Sequence, residues 1–464
     1  MTDLQARLSI FKAYDVRGRV PAELDENVAY LTGRALSAFL RPHRVVVGRD
    51  MRLTGEALAR ALTRGLVESG VQVMDIGEVG TEQVYFTVFS QGLDGGVMVT
   101  ASHNPADYNG MKLMGEQAIP ISGDTGLMAI RDRVGAALRA GAWPQAAVPA
   151  GSQGSVERVD VMDEYVEHLL GYVDVGALRP LRIVANGGGG MAGPVLHRLR
   201  ERLPFELLLL QDTPDGAFPH GVPNPLLPEK REATARAVRE AGADLGLAWD
   251  GDFDRCFFYD EQGTFVEGYY LVGLLAGHAL RQAPGAVIVH DPRLVWNTIE
   301  LVEQAGGRPV QNKSGHAFIK ERMRREDAIY GGEMSAHHYF RGFSYCDSGM
   351  IPWLLVTEIM SASGTPLSEL VGERVHRYPV SGEINLELAD PQRAMSRLRE
   401  TYGAAALSMD DVDGVSLEFP EWRVNVRLSN TEPVLRVNLE SRGDEQLMRA
   451  KTEEILAFLE EAGR

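Results

Sequence analysis

Cysteine is the first scarcity in this sequence: 464 residues contain only Cys256 and Cys346. Two thiols cannot build a disulfide framework, and no Cys-x-x-Cys pair is present. Long apolar runs are also missing. No stretch approaches the roughly 20 consecutive apolar residues that a membrane-crossing helix needs. The first residues, MTDLQARLSIFKAYD, carry Asp3 early and have no apolar core, so they do not read as a secretory signal. Basic charge is in deficit. Forty-seven Lys and Arg against 64 Asp and Glu leave a net charge of −17. That balance argues against a general nucleic-acid face, which must be basic. It does not exclude small anions, because local basic clusters override a global field. The expectation is a cytoplasmic protein with neither membrane nor nucleic-acid partners.

What is present is ordinary for a globular chain, 44% hydrophobic and 24% charged. At roughly 150 residues per domain, the length suits about three or four domains. Strand and helix signals alternate from the start: an apolar run at 45–47, a helical pattern over 54–69, then strands at 71–74 and 95–99. This rhythm predicts a mostly parallel sheet covered by helices. Residues 138–156, rich in Ala, Gly, Pro and Ser, read as a linker. A second βα set follows to about residue 259 and a third to about 363. From 384 onward, strands at 384–388, 415–419, 422–428 and 434–439 succeed one another, and a helix over 446–462 closes the chain. Strands without long intervening helices indicate a small α+β domain.

Strand ends carry the polar groups. The run 96–99 stops in Thr100-Ala101-Ser102-His103-Asn104-Pro105, where Pro105 ends the strand. Open α/β sheets bind ligands at such C-terminal strand ends. Ser102 with His103 and Lys112 nearby could be a nucleophile among charge partners, or a polar turn bonding its own backbone. A second strand leads into Asp250-Gly251-Asp252-Phe253-Asp254-Arg255. Three close carboxylates repel unless a cation sits among them, and oxygen-only donors select Mg²⁺ or Ca²⁺. An EF-hand loop is set aside because Arg255 stands where its sharp turn needs glycine. A third strand ends in Glu333-Met334-Ser335-Ala336-His337-His338, a set of acceptors, a hydroxyl and imidazoles that suits a sugar. Arg427 to Pro433 offers arginine, hydroxyls and an amide, the ingredients of a phosphate clamp. One motif competes: Gly188, Gly190 and Gly193 fit a dinucleotide-binding G-x-G-x-x-G with Asp212 about twenty residues on. Four consecutive glycines satisfy many such patterns, so a strand-to-helix turn is the preferred reading.

Together, TASHNP (100–105), NGMK (109–112), DGDFDR (250–255), GEMSAH (332–337) and RLSNTEP (427–433) resemble the α-D-phosphohexomutase family, in its bacterial phosphomannomutase/phosphoglucomutase branch. YDVRG (14–18), GRD (48–50) and SGHAFIK (314–320) agree, in the family's order across nearly the whole chain. The resemblance implies an α/β fold: three related α/β domains with mostly parallel mixed sheets and a C-terminal α+β domain around a central cleft. The expected divisions are 1–150, 151–255, 256–370 and 371–464. It implies reversible conversion of mannose 6-phosphate to mannose 1-phosphate, and of the glucose phosphates, through a phosphoserine and a hexose 1,6-bisphosphate. Ser102 would carry the phosphoryl group and bind Mg²⁺ with Asp250, Asp252 and Asp254. Arg17, Lys112, His103 and His337 would serve the transfer. Tyr14, Arg255, Arg293, His316, Glu333, Ser335, Arg427, Ser429, Asn430 and Thr431 would contact substrate. Arg293 stands where the family also has lysine, which keeps the charge but not the geometry. Small hexose phosphates would be the only partners of a monomer. The competing readings are a phosphoglucosamine mutase and a non-catalytic sugar-phosphate sensor.

Overall fold

The computed structural model describes residues 3–143, 153–429 and 434–464. The chain divides into two compact units, Met1–Thr264 with Cys346–Ala362 and Phe265–Tyr345 with Ser363–Arg464. The expected linker lies partly outside the described residues.

One sheet topology occurs three times. In the first unit, strand Arg44–Arg49 pairs in parallel with Gln72–Glu78 on one side and Gly95–Val99 on the other. Gly95–Val99 then pairs antiparallel with Tyr108–Gly115. Further along the same unit, Arg182–Asn186 lies parallel between Glu206–Leu210 and Leu245–Trp249, and Leu245–Trp249 pairs antiparallel with Cys256–Tyr259. In the second unit, Val287–His290 lies parallel between Arg308–Gln311 and Tyr330–Gly332, and Tyr330–Gly332 pairs antiparallel with His338–Phe340. Each repeat thus has a first strand flanked by a second and a third, with a fourth returning as a hairpin from the third. Helices such as Gly55–Val67, Ala192–Arg200 and Trp296–Gln304 make the crossovers between first and second strands. The expected mostly parallel mixed sheets are present.

The fourth sheet is antiparallel throughout, in the order Ile384–Leu386, Leu435–Ser441, Trp422–Leu428, Val415–Glu418, Ser408–Asp410. Helix Pro391–Tyr402, not anticipated from the strand-rich pattern, packs on it with helix Glu445–Ala462 through Ala394, Leu398, Ile455 and Leu459. Asp390 and Asp444 cap these helices, accepting from Arg393 and Leu447 N–H.

Two more elements escape a period-based reading. Strand Tyr108–Gly115 contains two glycines and an asparagine, which read as loop. It forms because both its neighbours, Val16–Arg19 and Gly95–Val99, pair with it, a tertiary effect that outweighs weak β propensity. Helix Glu26–Leu40, capped by Asp25, buries Val28, Leu31, Ala35 and Leu36 in the first core. Among the described residues, no helix is long and apolar enough to cross a membrane.

Candidate active site

The loop between the third strand and its returning fourth strand carries the predicted chemistry in every repeat. In the first repeat it is residues 100–107, in the second 250–255, in the third 333–337. The first two lie in one unit and meet there.

Ser102 is 3% exposed, and its backbone takes the left-handed conformation with φ 47°. That region costs an L-residue about 1–2 kcal/mol, so the surroundings must hold it. The hydroxyl donates to Asp250 Oδ2 at 2.7 Å and lies 3.1 Å from His103 Nδ1. Asp250 also accepts from Arg255 Nε at 3.0 Å and Nη2 at 2.9 Å. Arg255 Nη2 faces His103 Nδ1 at 2.6 Å. Because a guanidinium only donates, this assigns the ring nitrogen as an acceptor. Burial pushes the Asp250 carboxyl up to about 6; Arg255 opposes that rise, and Asp254 and Asp252 add to it.

Asp252 is different. Burial raises its carboxyl, but Lys112 and Thr81 more than offset this and hold it well below the usual range. Asp252 Oδ2 accepts from Lys112 Nζ at 2.7 Å and from Thr81 Oγ1 at 2.5 Å. Lys112 also reaches Asp254 Oδ2 at 2.5 Å, and its ammonium pKa is raised by the two carboxylates against the effect of burial. Carboxylate oxygens of Asp250, Asp252 and Asp254 lie within 4.8 Å of one another, all three buried. Asp252 Oδ1 has no hydrogen-bond partner among the described residues. Three buried carboxylates against Lys112 and Arg255 leave negative charge, and a phosphoserine would add about −1.5 to −2. A hard divalent cation with oxygen ligands fits this donor set.

The backbone explains the convergence. Strand Leu245–Trp249 is buried throughout and delivers Asp250 at its end. The fully buried Phe253 ring occupies the space over Gly80, where a Cβ would meet it at 1.9 Å. Thr81 N–H bonds Asp252 carbonyl at 3.1 Å. The glycine-rich turn seats the same loop from the other side. Gly188 N–H bonds Asn186 Oδ1, Gly189 N–H bonds Gln211 carbonyl and Gly190 N–H bonds Gly187 carbonyl. Met191 N–H then bonds Gly251 carbonyl at 3.0 Å. The N–H groups of all four consecutive glycines are spent, Gly187 on Leu210 carbonyl, so these glycines form a packing turn.

Arg17 Nε pairs with Asp15 Oδ2 at 2.8 Å, and its Nη1 bonds Ala101 carbonyl at 2.6 Å. Tyr14 is half-buried beside it.

In the second unit, Glu333 is 2% exposed and accepts from Gly315 N–H at 2.9 Å and Tyr339 Oη at 2.5 Å. His337 Nδ1 lies 3.4 Å from Glu333 and 3.4 Å from Ser335 Oγ. Burial would raise the Glu333 carboxyl; His337, Arg293 and Tyr339 together hold it low. Arg293 is fully engaged, with Nη2 2.6 Å from Asp291 and 3.1 Å from Ser335 Oγ, and Nη1 3.1 Å from Glu383. Glu383 faces Arg427 and Arg436 as well, at 3.4 and 3.2 Å. Arg427 is 4% exposed, and its buried Nε makes no hydrogen bond among the described residues but lies 3.9 Å from Asp413 Oδ2. Ser429 N–H bonds Val434 carbonyl at 3.0 Å. His316 opens helix His316–Glu326. Asn430 and Thr431 lie outside the described residues.

The structure adds Asp15, Thr81, Thr100, Asp291 and Glu383 to these clusters. Asp291 had a local signal, an Asp-x-Arg at a strand end. Glu383 had none, since its three arginines are scattered over the sequence.

Four sequence profiles match the chain in order. They are described as phosphoglucomutase/phosphomannomutase alpha/beta/alpha domain I over residues 8–138, domain II over 163–263, domain III over 267–378 and the C-terminal domain over 383–457. A phosphomannomutase of Salmonella montevideo is 56% identical over 97% of this chain and 99% of that protein. Phosphohexose mutases of Xanthomonas campestris pv. campestris are 56% identical over 97% and 99%. A phosphoglucomutase/phosphomannomutase family protein from Burkholderia thailandensis has the same fold, with TM-score 0.85 and 32% identity over 98% of this chain and 99% of that chain.

Proposed function

The chain belongs to the phosphoglucomutase/phosphomannomutase family, and on that premise we propose that it interconverts mannose 6-phosphate and mannose 1-phosphate and accepts the glucose phosphates. The observation that carries this reading is the buried Ser102 hydroxyl on Asp250, inside a triad of carboxylates.

Ser102 carries the phosphoryl group. Its Oγ–P bond breaks as a bond forms from phosphorus to the free hydroxyl oxygen of a hexose monophosphate, whose proton passes to the proton carrier while the departing Ser102 Oγ takes up a proton, giving the hexose 1,6-bisphosphate. The bisphosphate turns over and returns its other phosphoryl group to Ser102 Oγ. Mg²⁺ held by Asp250, Asp252 and Asp254 supplies charge neutralisation for the phosphoryl oxygens. Arg255 orients Asp250 and adds positive charge, while Lys112 and Arg17 neutralise the carboxylates and fix the loop. His337, held by Glu333, is the proposed proton carrier. Glu333, Ser335, Arg293 and His316 read the sugar, and Arg427, Ser429, Asn430 and Thr431 grip the phosphate that does not react. Tyr14 lies beside Arg17 as a further contact. The fourfold division is proposed at 1–150, 151–264, 265–370 and 371–464, with the boundary expected at 255 moved because Cys256–Tyr259 pairs with Leu245–Trp249 in the second sheet, and a cytoplasmic monomer is the working form.

Side-by-side assays of mannose 1-phosphate, glucose 1-phosphate and glucosamine 1-phosphate test the substrate. Mannose and glucose phosphates should turn over, with glucosamine phosphate far slower. Phosphorus NMR should show a phosphoserine, and its absence together with no turnover would leave a binding protein.

Two variants probe the parts. Arg427→Ala should raise KM about tenfold or more while kcat changes little, since a charged hydrogen bond to whichever phosphate is not being transferred in a given half-reaction contributes equally to ground and transition states. An unchanged KM would remove Arg427 from the clamp. Gly190→Ala places a Cβ 2.7 Å from Gly251 carbonyl oxygen. The shift of the acidic loop should raise the Mg²⁺ concentration for half-maximal turnover roughly tenfold. A Mg²⁺ titration matching wild type would show that the turn does not seat the loop.

A further inference from the structure

The end of the first strand is built alike in two of the three repeats. Arg44–Arg49 runs into Asp50-Met51-Arg52, and Val287–His290 into Asp291-Pro292-Arg293. In both, the arginine N–H bonds the aspartate Oδ1 at 3.0 Å. In both, the aspartate Oδ2 reaches the functional loop after the third strand. Asp50 accepts from Thr100 Oγ1 at 2.6 Å, and Asp291 from Met334 N–H at 2.8 Å. In both, the guanidinium spreads over that loop. Arg293 meets Ser335 Oγ, whereas Arg52 takes only main-chain carbonyls.

Four of these carbonyls converge on Arg52. Nη1 donates to Pro105 and Tyr108, each at 2.8 Å; Nη2 donates to Ser102 at 2.8 Å and Asn104 at 2.6 Å. Arg52 is 3% exposed, and its guanidinium carbon lies 5.1 Å from the centre of the Phe218 ring. The strained Ser102 is therefore held from both sides. Its carbonyl is bound by Arg52, and its N–H by Thr100 Oγ1 at 2.8 Å. Both holders are fixed by one carboxylate, Asp50, which is fully buried.

We propose that Arg52 is a positioning residue for phosphoryl transfer, its fork fixing the left-handed Ser102 through the loop carbonyls with Asp50 as the shared anchor. This rests on the mutase reading given above. Arg52 does not touch the Ser102 hydroxyl, so it acts through the main chain. Carbonyl oxygens bound to it cannot turn toward a phosphoryl dianion, which they would repel. Lysine cannot replace it, since one ammonium lacks the planar set of donors that serves four carbonyls from one side.

Arg52→Lys keeps the charge and removes the fork; Thr100→Val keeps the volume and removes the hydroxyl link. Each is compared with wild type for kcat and KM on mannose 1-phosphate, for thermal midpoint, and for the rate at which hexose 1,6-bisphosphate phosphorylates Ser102, followed by intact mass. Arg52→Lys should lose at least roughly 30-fold in kcat and in phosphorylation rate with KM within about twofold, because misplacing a reacting group by about 1 Å costs on the order of 100-fold. Thr100→Val should lose about fivefold in both. Arg52→Lys retaining more than about a third of wild-type kcat, or losing only in KM, overturns the proposal. If Arg52→Lys does not fold, Thr100→Val within about twofold of wild type overturns it alone. Wild type inactive on both mannose and glucose phosphates would refute the mutase reading and the positioning role with it. Active wild type beside unaffected variants refutes only the positioning role.

Discussion

Ser102→Ala should abolish interconversion of mannose phosphates, with turnover down at least about 1,000-fold. Among the described residues, the neighbouring Thr100 and Thr81 hydroxyls are not placed to take over. Thr100 Oγ1 is committed to Asp50 and to the Ser102 N–H, and Thr81 Oγ1 to Asp252. Asp250 keeps Arg255 when the serine donor goes, so the acidic loop keeps its main support. The variant should therefore fold with a thermal midpoint near wild type and show no phosphoryl adduct by intact mass after incubation with hexose 1,6-bisphosphate. Substantial turnover, or an adduct that maps to another residue, would remove Ser102 as the nucleophile.

The second large effect is expected at Asp252. Asp252→Asn conserves shape but deletes one negative charge and sets an amide beside Lys112 Nζ, 2.7 Å from the present Oδ2. It also removes Asp252 Oδ1, a buried carboxylate oxygen of the triad with no hydrogen-bond partner among the described residues and so suited to a cation. Turnover should fall about 1,000-fold at the Mg²⁺ concentration that saturates wild type, and raising Mg²⁺ should restore part of it. Chelation of wild type should give a comparable loss, reversed by adding the ion back. Wild-type activity and an unaltered Mg²⁺ titration in Asp252→Asn would separate the triad from metal binding.

The parts legible in the sequence are those with local causes. Asp250, Asp252 and Asp254 stand at alternate positions after an apolar run, and repulsion among them already demanded a cation. Ser102 could be placed at a strand end because Pro105 stops the strand. Family resemblance then supplied roles that spacing alone left open, such as that of Arg427. What could not be read depends on groups remote in sequence. Thr81 looks like a helix start and only the fold brings it to Asp252, 171 positions away. Glu383 gathers Arg293, Arg427 and Arg436 from separate elements. Strand Tyr108–Gly115 looked like loop because its stability comes from two partners rather than from its own residues. The glycine run misled in the opposite sense: its pattern matched a nucleotide cradle, yet its amide hydrogens are spent on the turn and on Gly251.

The hairpin that follows each third strand has a consequence for how such a catalyst can change. The three tips have been given separate tasks, yet each hangs from a sheet whose interior is indifferent to what the tip contains. Sugar preference should therefore be transplantable by exchanging the short segment 333–337 alone, provided Asp291 and Arg293 remain to grip it. Residues 100–107 should tolerate no such exchange, because the Ser102, Asn104 and Pro105 carbonyls must keep their places on a buried guanidinium and Thr100 its hydroxyl on Asp50. New substrates are thus open to the third tip, while the first is bound to a single chemistry.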